Sequence, residues 1–239
     1  ILSSHILPDL ITWTRYMNYE SNDNIVTITF DDGKANVVGT QFLDDIKVVL
    51  DRAEAEQAGA VILRGRDGMF SGGFDLAEFK KGPEAGMAMV KRGFELLVRL
   101  YSFPAPLVAA CTGHGIAMGA FIIMACDYRI GSRGAFKMSL PETAIGMDLP
   151  PILVELTAAR IVKAHMTRVA LQSEVYNPEQ AVEAGFVDEV VEANVLSART
   201  KEVAQRLAKL PAKQYAANKL VIRADALRAM QDDLARLAS

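Results

Sequence analysis

Apolar residues alternate at Val26, Ile28 and Phe30, a pattern that predicts a strand with one face buried. A turn at Asp31–Asp32–Gly33–Lys34 follows, after which Phe42, Ile46, Val49 and Leu50 recur at the spacing of one helix face. Ala60–Val61–Ile62–Leu63 and Leu107–Val108–Ala109–Ala110 are unbroken apolar runs, as expected of strands covered on both sides. The stretch from Pro83 to Tyr101 between them reads as a helix. Strands alternating with helices predict an α/β fold of parallel strands joined by right-handed crossovers, with ligands at the carboxyl ends of the strands.

Beyond residue 150 the pattern turns mainly helical. Asn177-Pro178-Glu179-Gln180 supplies a cap, a proline at the first helical position and a glutamine where a capping box needs it. Gly185 ends that helix, Phe186–Val190 suggests one short strand, and further helices run through Leu237. The expected organisation is a core over residues 17–176 and a mainly helical C-terminal region over 177–239. Residues 1–16 are an extension of uncertain origin, without the basic start, apolar run and small-residue site of a secretory signal.

Composition refines this picture at four points. With 51% hydrophobic but only 7% aromatic residues and ten Met in 239 residues, the core must be aliphatic, which suits α/β layers. The 27 residues from Leu100 to Cys126 carry no formal charge, enough to span a bilayer at about 20 residues. Pro104, Pro106, Gly113, Gly115 and Gly119 break that run, and Ser102, Thr112 and His114 add polarity, so no membrane span is expected. The net charge of −3 and the scatter of the basic residues argue against nucleic acid as a partner. Cys111 and Cys126 lie in apolar surroundings, which predicts buried reduced thiols and a cytoplasmic protein.

Two glycine-containing turns carry the candidate chemistry. Phe70-Ser71-Gly72-Gly73-Phe74-Asp75-Leu76 and Gly113-His114-Gly115-Ile116-Ala117-Met118-Gly119 each follow a buried strand and lead toward a helix. The second misses the dinucleotide fingerprint because its third glycine stands one residue late. Cys111 and His114 form a lone pair without further ligands, so no metal site is expected. A turn entering a helix offers unpaired N–H groups, and two such turns can aim donors at one oxygen that gains negative charge.

Taken in order, these turns resemble those of the crotonase family, the enoyl-CoA hydratase/isomerase superfamily. The resemblance extends over nearly everything after Met17. It includes Lys34-Ala35-Asn36, Pro106-Leu107-Val108-Ala109-Ala110 with Gly113, Cys126-Asp127-Tyr128-Arg129-Ile130, Leu140-Pro141-Glu142 and Ala181-Val182-Glu183-Ala184-Gly185-Phe186-Val187-Asp188. It implies a spiral of ββα units with a C-terminal helical trimerisation region, and a homotrimer or dimer of trimers acting on acyl-CoA thioesters. Coenzyme A would then be part of the substrate, with no permanently bound cofactor.

The resemblance also implies residue roles. The oxyanion donors are the backbone N–H groups of Phe74 and Met118. Coenzyme A is expected along Lys34, Ala35, Gly72, Phe74 and Leu76, with Lys219 reaching a phosphate. Hydratases of the family use two glutamates, but Phe121 stands at the first position here, and Asp127 is the one acidic residue between Glu95 and Glu142. Glu142 is left as the catalytic acid/base, in an acyl pocket walled by Phe121, Met118 and Ile145; Asp148 and His114 are reserve candidates. A single carboxylate suits moving a proton from C2 to C4, the Δ3→Δ2 enoyl-CoA isomerase reaction. Hydration of enoyl-CoA, or acyl-CoA binding without catalysis, are the alternative expectations.

Overall fold

A computed structural model describes residues 12–13 and 16–237. The expectation for residues 1–16 therefore falls mostly outside the described residues. The chain begins with β1 (Thr12–Trp13), β2 (Met17–Asn22), β3 (Ile25–Phe30), α1 (Thr40–Ala55) and β4 (Ala60–Gly65). It continues through β5 (Gly68–Ser71), α2 (Leu76–Phe79), α3 (Pro83–Tyr101), β6 (Leu107–Cys111), β7 (Gly113–Ile116) and α4 (Met118–Ala125). Then come β8 (Tyr128–Ser132), β9 (Met138–Ser139), α5 (Pro151–Ala158), α6 (Pro178–Ala184) and β10 (Glu189–Val191). Three helices close the chain: α7 (Leu196–Leu207), α8 (Ala212–Ile222) and α9 (Ala224–Arg236).

Seven strands form one sheet in the order β1-β2-β3-β4-β6-β8-β10, antiparallel between β1, β2 and β3 and parallel from β3 onward. Its period-2 alternation separates two cores. Val26, Ile28, Val61, Leu63, Leu107 and Ala109 face α1, α3 and α4, whereas Ile25, Ile62, Val108 and Ile130 pack with Leu196, Val203 and Ala204 of α7. Both faces are covered, which is why β4 and β6 read as unbroken apolar runs.

A second sheet, β5-β7-β9, is wholly parallel. From β4 onward the chain makes three turns of one pattern: a strand in the large sheet, a strand in the small one, then helix. The segment Gly113–Ile116, expected as a loop, is thus strand β7. The small strands escaped the sequence reading because they are two to four residues long, too short for a period to register, and β5 and β7 also bear glycines.

The C-terminal region is tied into these layers. The capping box of α6 forms as expected, with Gln180 N–H donating to Asn177 Oδ1 at 2.9 Å and Gly185 left-handed at φ 92°. The region's strand is β10, which begins three residues later than expected and pairs with β8. Arg129 holds this corner: it donates to both oxygens of Asp188, at 2.6 and 3.1 Å, and to Gly185 O at 2.7 Å. Among the described residues no helix is long and apolar enough to cross a membrane. The uncharged run from Leu100 is instead divided among the end of α3, β6, β7 and α4.

Candidate active site

The carboxyl ends of β5, β7 and β9 lie side by side, and each delivers one piece of chemistry. After β5 come Gly72, Gly73 and Phe74; after β7 come Ala117 and Met118; after β9 come Pro141 and Glu142. The pairings Gly115↔Met138 and Ile116↔Ser139, and the bond from Ala117 N–H to Ser139 O at 3.0 Å, register the last two ends. The first two touch directly, since a Cβ on Gly73 would stand 2.9 Å from Ala117 Cβ and 3.5 Å from Met118 N. Gly73 has φ +101°, a conformation that favours glycine. Gly119 meets the same constraint in another form, because a Cβ there would lie 2.4 Å from Ser71 O.

Ala117 adopts φ 50° and ψ −125°, an uncommon conformation for a residue with a side chain. Such a conformation costs on the order of 1–3 kcal/mol and persists only where its surroundings fix it. Here it turns the chain from β7 into α4, whose first helical N–H belongs to Met118 and whose N-cap offers no side-chain acceptor. Neither Phe74 N–H nor Met118 N–H donates to an acceptor among the described residues. Two adjacent turns therefore present one free main-chain donor each.

Glu142 opens a single 3-10 turn, Thr143–Ile145, that Gly146 ends at φ 73°. Its carbonyl accepts from Met147 N–H at 2.8 Å, but its side chain is only 5% exposed and Oε2 has no hydrogen-bond partner. Burial raises the carboxyl from its ordinary 4.5 to about 7, with a main-chain hydrogen bond from Glu142 itself pulling the other way. This is a carboxyl poised to exchange a proton near neutral pH.

The remaining expected residues divide. Ala35 lies against the first turn, its carbonyl accepting from Gly72 N–H at 2.8 Å. Lys34 is exposed, and its carbonyl is clamped by Arg66 through both Nε and Nη2. Leu76 is 67% exposed. Phe121 sits one turn into α4 with its N–H donating to Ala117 O at 3.1 Å, and is fully buried. Ile145 is 58% exposed, so it and Phe121 do not form one closed wall within this chain. Asp148 is exposed, and His114 Nδ1 accepts from Lys137 N–H at 3.1 Å beside the Phe136 ring.

Lys219 requires a correction. Instead of reaching outward to a phosphate it is 6% exposed, and Nζ donates to Phe103 O at 2.7 Å, Ala105 O at 2.9 Å and Asp127 Oδ2 at 2.6 Å. All three ammonium hydrogens are spent. Its position on α8 gave no sign of this in the sequence, because the partners lie 92 to 116 residues away. Sequence reading also set aside Tyr16, which lines a cleft with Lys34 and Ala35. The two cysteines are free and buried, with thiols raised to about 12 by burial.

A family model described as enoyl-CoA hydratase/isomerase matches residues 20–236. The chain belongs to the enoyl-CoA hydratase/isomerase family. Its fold is that of solved family structures. It is 36% identical to an enoyl-CoA isomerase of Mycobacterium tuberculosis, covering 93% of this chain and 97% of that one, with TM-score 0.88. Identity to an enoyl-CoA hydratase of Mycobacterium marinum is 35%, over the same shares and with the same TM-score. Among curated relatives, the rat mitochondrial enoyl-CoA delta isomerase 1 is 26% identical over 80% of this chain and 68% of its own length. The match spans 48% of the length of the first curated relative. Family relatives thus carry both hydratase and isomerase names.

Proposed function

We propose that this family member acts on acyl-CoA thioesters and moves a Δ3 double bond to Δ2, with Glu142 as its single acid/base. The observation that carries the reading is Glu142 itself: a buried carboxyl with an unpartnered oxygen, just beyond one strand of the three-stranded sheet whose other two strands, β7 and β5, lead to two free main-chain donors, with Phe121 where a second carboxylate would stand.

The thioester oxygen accepts from Phe74 N–H and Met118 N–H, which stabilise the oxyanion of the enolate. Ionised Glu142 takes a proton from C2, the electron pair shifts into the enolate, and the double bond migrates as the same carboxylic acid returns the proton at C4. Water takes no part in the balance. Lys34, Ala35, Gly72 and Leu76 line the course of the coenzyme A moiety, with Lys219 excluded by its internal bonds. The exposed Val221 and Ile222 on α8 support assembly through the C-terminal helices into a trimer, which sedimentation equilibrium would test.

The deciding experiment offers the purified protein 3-enoyl-CoA and crotonyl-CoA in parallel. Conversion of the first to the 2-enoyl ester, lost in Glu142→Gln while acyl-CoA binding persists, is the expected result. Efficient hydration of crotonyl-CoA would assign the hydratase reaction instead, and tight acyl-CoA binding without turnover of either ester a non-catalytic role.

A further inference from the structure

Helix α3 carries Gly86 and Gly93 in its interior, seven residues apart and so on one face. Glycine weakens a helix interior, and each of these two stands where a side chain would strike an aromatic ring. A Cβ on Gly86 would lie 2.8 Å from Phe79 Cδ1. A Cβ on Gly93 would lie 2.5 Å from Phe74 Cε1, 2.6 Å from Phe74 Cζ and 3.4 Å from Met118 Cε. Gly93 is itself buried. One position of α3 thus receives the side chains of both residues whose main-chain N–H groups are offered to the thioester oxygen.

The main chain around Phe74 is held along one edge. Val38 N–H donates to Gly73 O at 2.8 Å and Asp75 N–H donates to Val38 O at 3.2 Å, a parallel bridge that leaves Phe74 N–H on the opposite edge. These two bonds set a line about which the residue between them can still turn. The ring is the arm that stops the turning. It fills the gap at Gly93, with the rings of Phe79 and Phe94 at centroid distances of 6.4 and 6.5 Å. Met118 opens α4, is almost fully buried and borders the same gap. A methyl group added at Gly93 would displace the ring and take up the space in front of Met118.

We propose that Gly93 is a positioning residue for the reaction: by leaving room for the Phe74 ring beside Met118, it sets the direction of the N–H groups that polarise the thioester carbonyl. The inference rests on the acyl-CoA reading above. It is tested on the full chain by kcat and KM with 3-enoyl-CoA, and by the infrared carbonyl stretch of bound butyryl-CoA, a saturated thioester that cannot isomerise and reports on the donors alone. Gly93→Ala is expected to lower kcat about tenfold with KM within about twofold, and to lose part of the shift to lower frequency that binding gives the carbonyl. Gly86→Ala, which crowds Phe79 instead, keeps both kcat and the carbonyl shift. Phe74→Leu loses part of the shift by itself, and the pair Gly93→Ala/Phe74→Leu falls no further, because the clash is gone. An intact carbonyl shift in Gly93→Ala, an equal loss in Gly86→Ala, or a pair worse than Phe74→Leu overturns the role of Gly93. Should Gly93→Ala fail to fold, a full carbonyl shift in Phe74→Leu overturns it, since the ring is then not what holds the donor. Wild-type protein that shifts the butyryl-CoA carbonyl but turns over no enoyl thioester defeats the catalytic reading alone, and the infrared series still decides the role of Gly93.

Discussion

Glu142 and Asp127 are both almost sealed from water, yet their surroundings are opposite. Asp127 Oδ2 accepts from Lys219 Nζ at 2.6 Å and from Leu107 N–H at 2.8 Å, and Oδ1 lies 2.8 Å from Arg223 Nη2. Arg223 in turn donates to Tyr101 O at 2.7 Å, so the cluster ties α8 to the end of α3 and the start of β6. Among the described residues no cation pairs with Glu142, and its Oε2 has no hydrogen-bond partner. Burial of a paired carboxylate builds a structural joint, whereas burial of an unpaired one favours its protonated form and raises its pKa.

The largest effect that would break this contrast is on turnover. Glu142→Gln should lower kcat for 3-enoyl-CoA by about 10³-fold or more, in line with removal of a general acid/base, while its melting temperature stays at or above that of the wild type. Asp127→Asn should do the reverse. Leaving two cations buried with a neutral partner is expected to cost about 3–5 kcal/mol in chemical denaturation, with the folded fraction retaining turnover. If Asp127→Asn melts like the wild type, the buried cluster is not the joint described here.

A third test addresses the two free main-chain donors. Gly73→Ala forces a side chain onto a left-handed residue and against Ala117, displacing both turns. It should reduce kcat by about 10²-fold with a smaller change in KM, as for loss of an oxyanion donor. A loss confined to KM would separate these turns from the chemical step.

The smallest expected effect is on pH dependence. As a base Glu142 must be ionised, so kcat/KM should rise with pH through about 7. Its stability contribution has the opposite course. A carboxyl raised in the folded state favours the protonated form, so the contribution is complete below the ordinary value of 4.5 and is lost as pH rises through about 7. Glu142→Gln should therefore gain melting temperature over the wild type at pH 8 and little at pH 5. A rate profile flat across pH 6–8 would place the titrating group elsewhere.

Much of the architecture was legible because it rests on local periodicity and capping. The helix at 83–101, the strands at 60 and 107 and the capping box at Asn177 each follow from residues adjacent in the chain. Glu142 was legible through its segment and through the absence of other carboxylates near the second turn. The small sheet was not, since β5, β7 and β9 bear too few residues to show a period and owe their existence to pairing with one another. Lys219 was misread because a lysine on a helix carries no local mark of burial.

What the sequence determined by itself, then, is the inventory: an aliphatic α/β chain, two glycine turns and one glutamate, Glu142, in the segment that the resemblance singles out. Tertiary structure decided the environments. Parallel pairing in the small sheet brings the three strand ends together, and packing leaves Glu142 without a counter-ion among the described residues while giving Lys219 to Asp127. Desolvation and pairing depend on neighbours distant in sequence, and these two quantities separate a structural carboxylate from a reactive one.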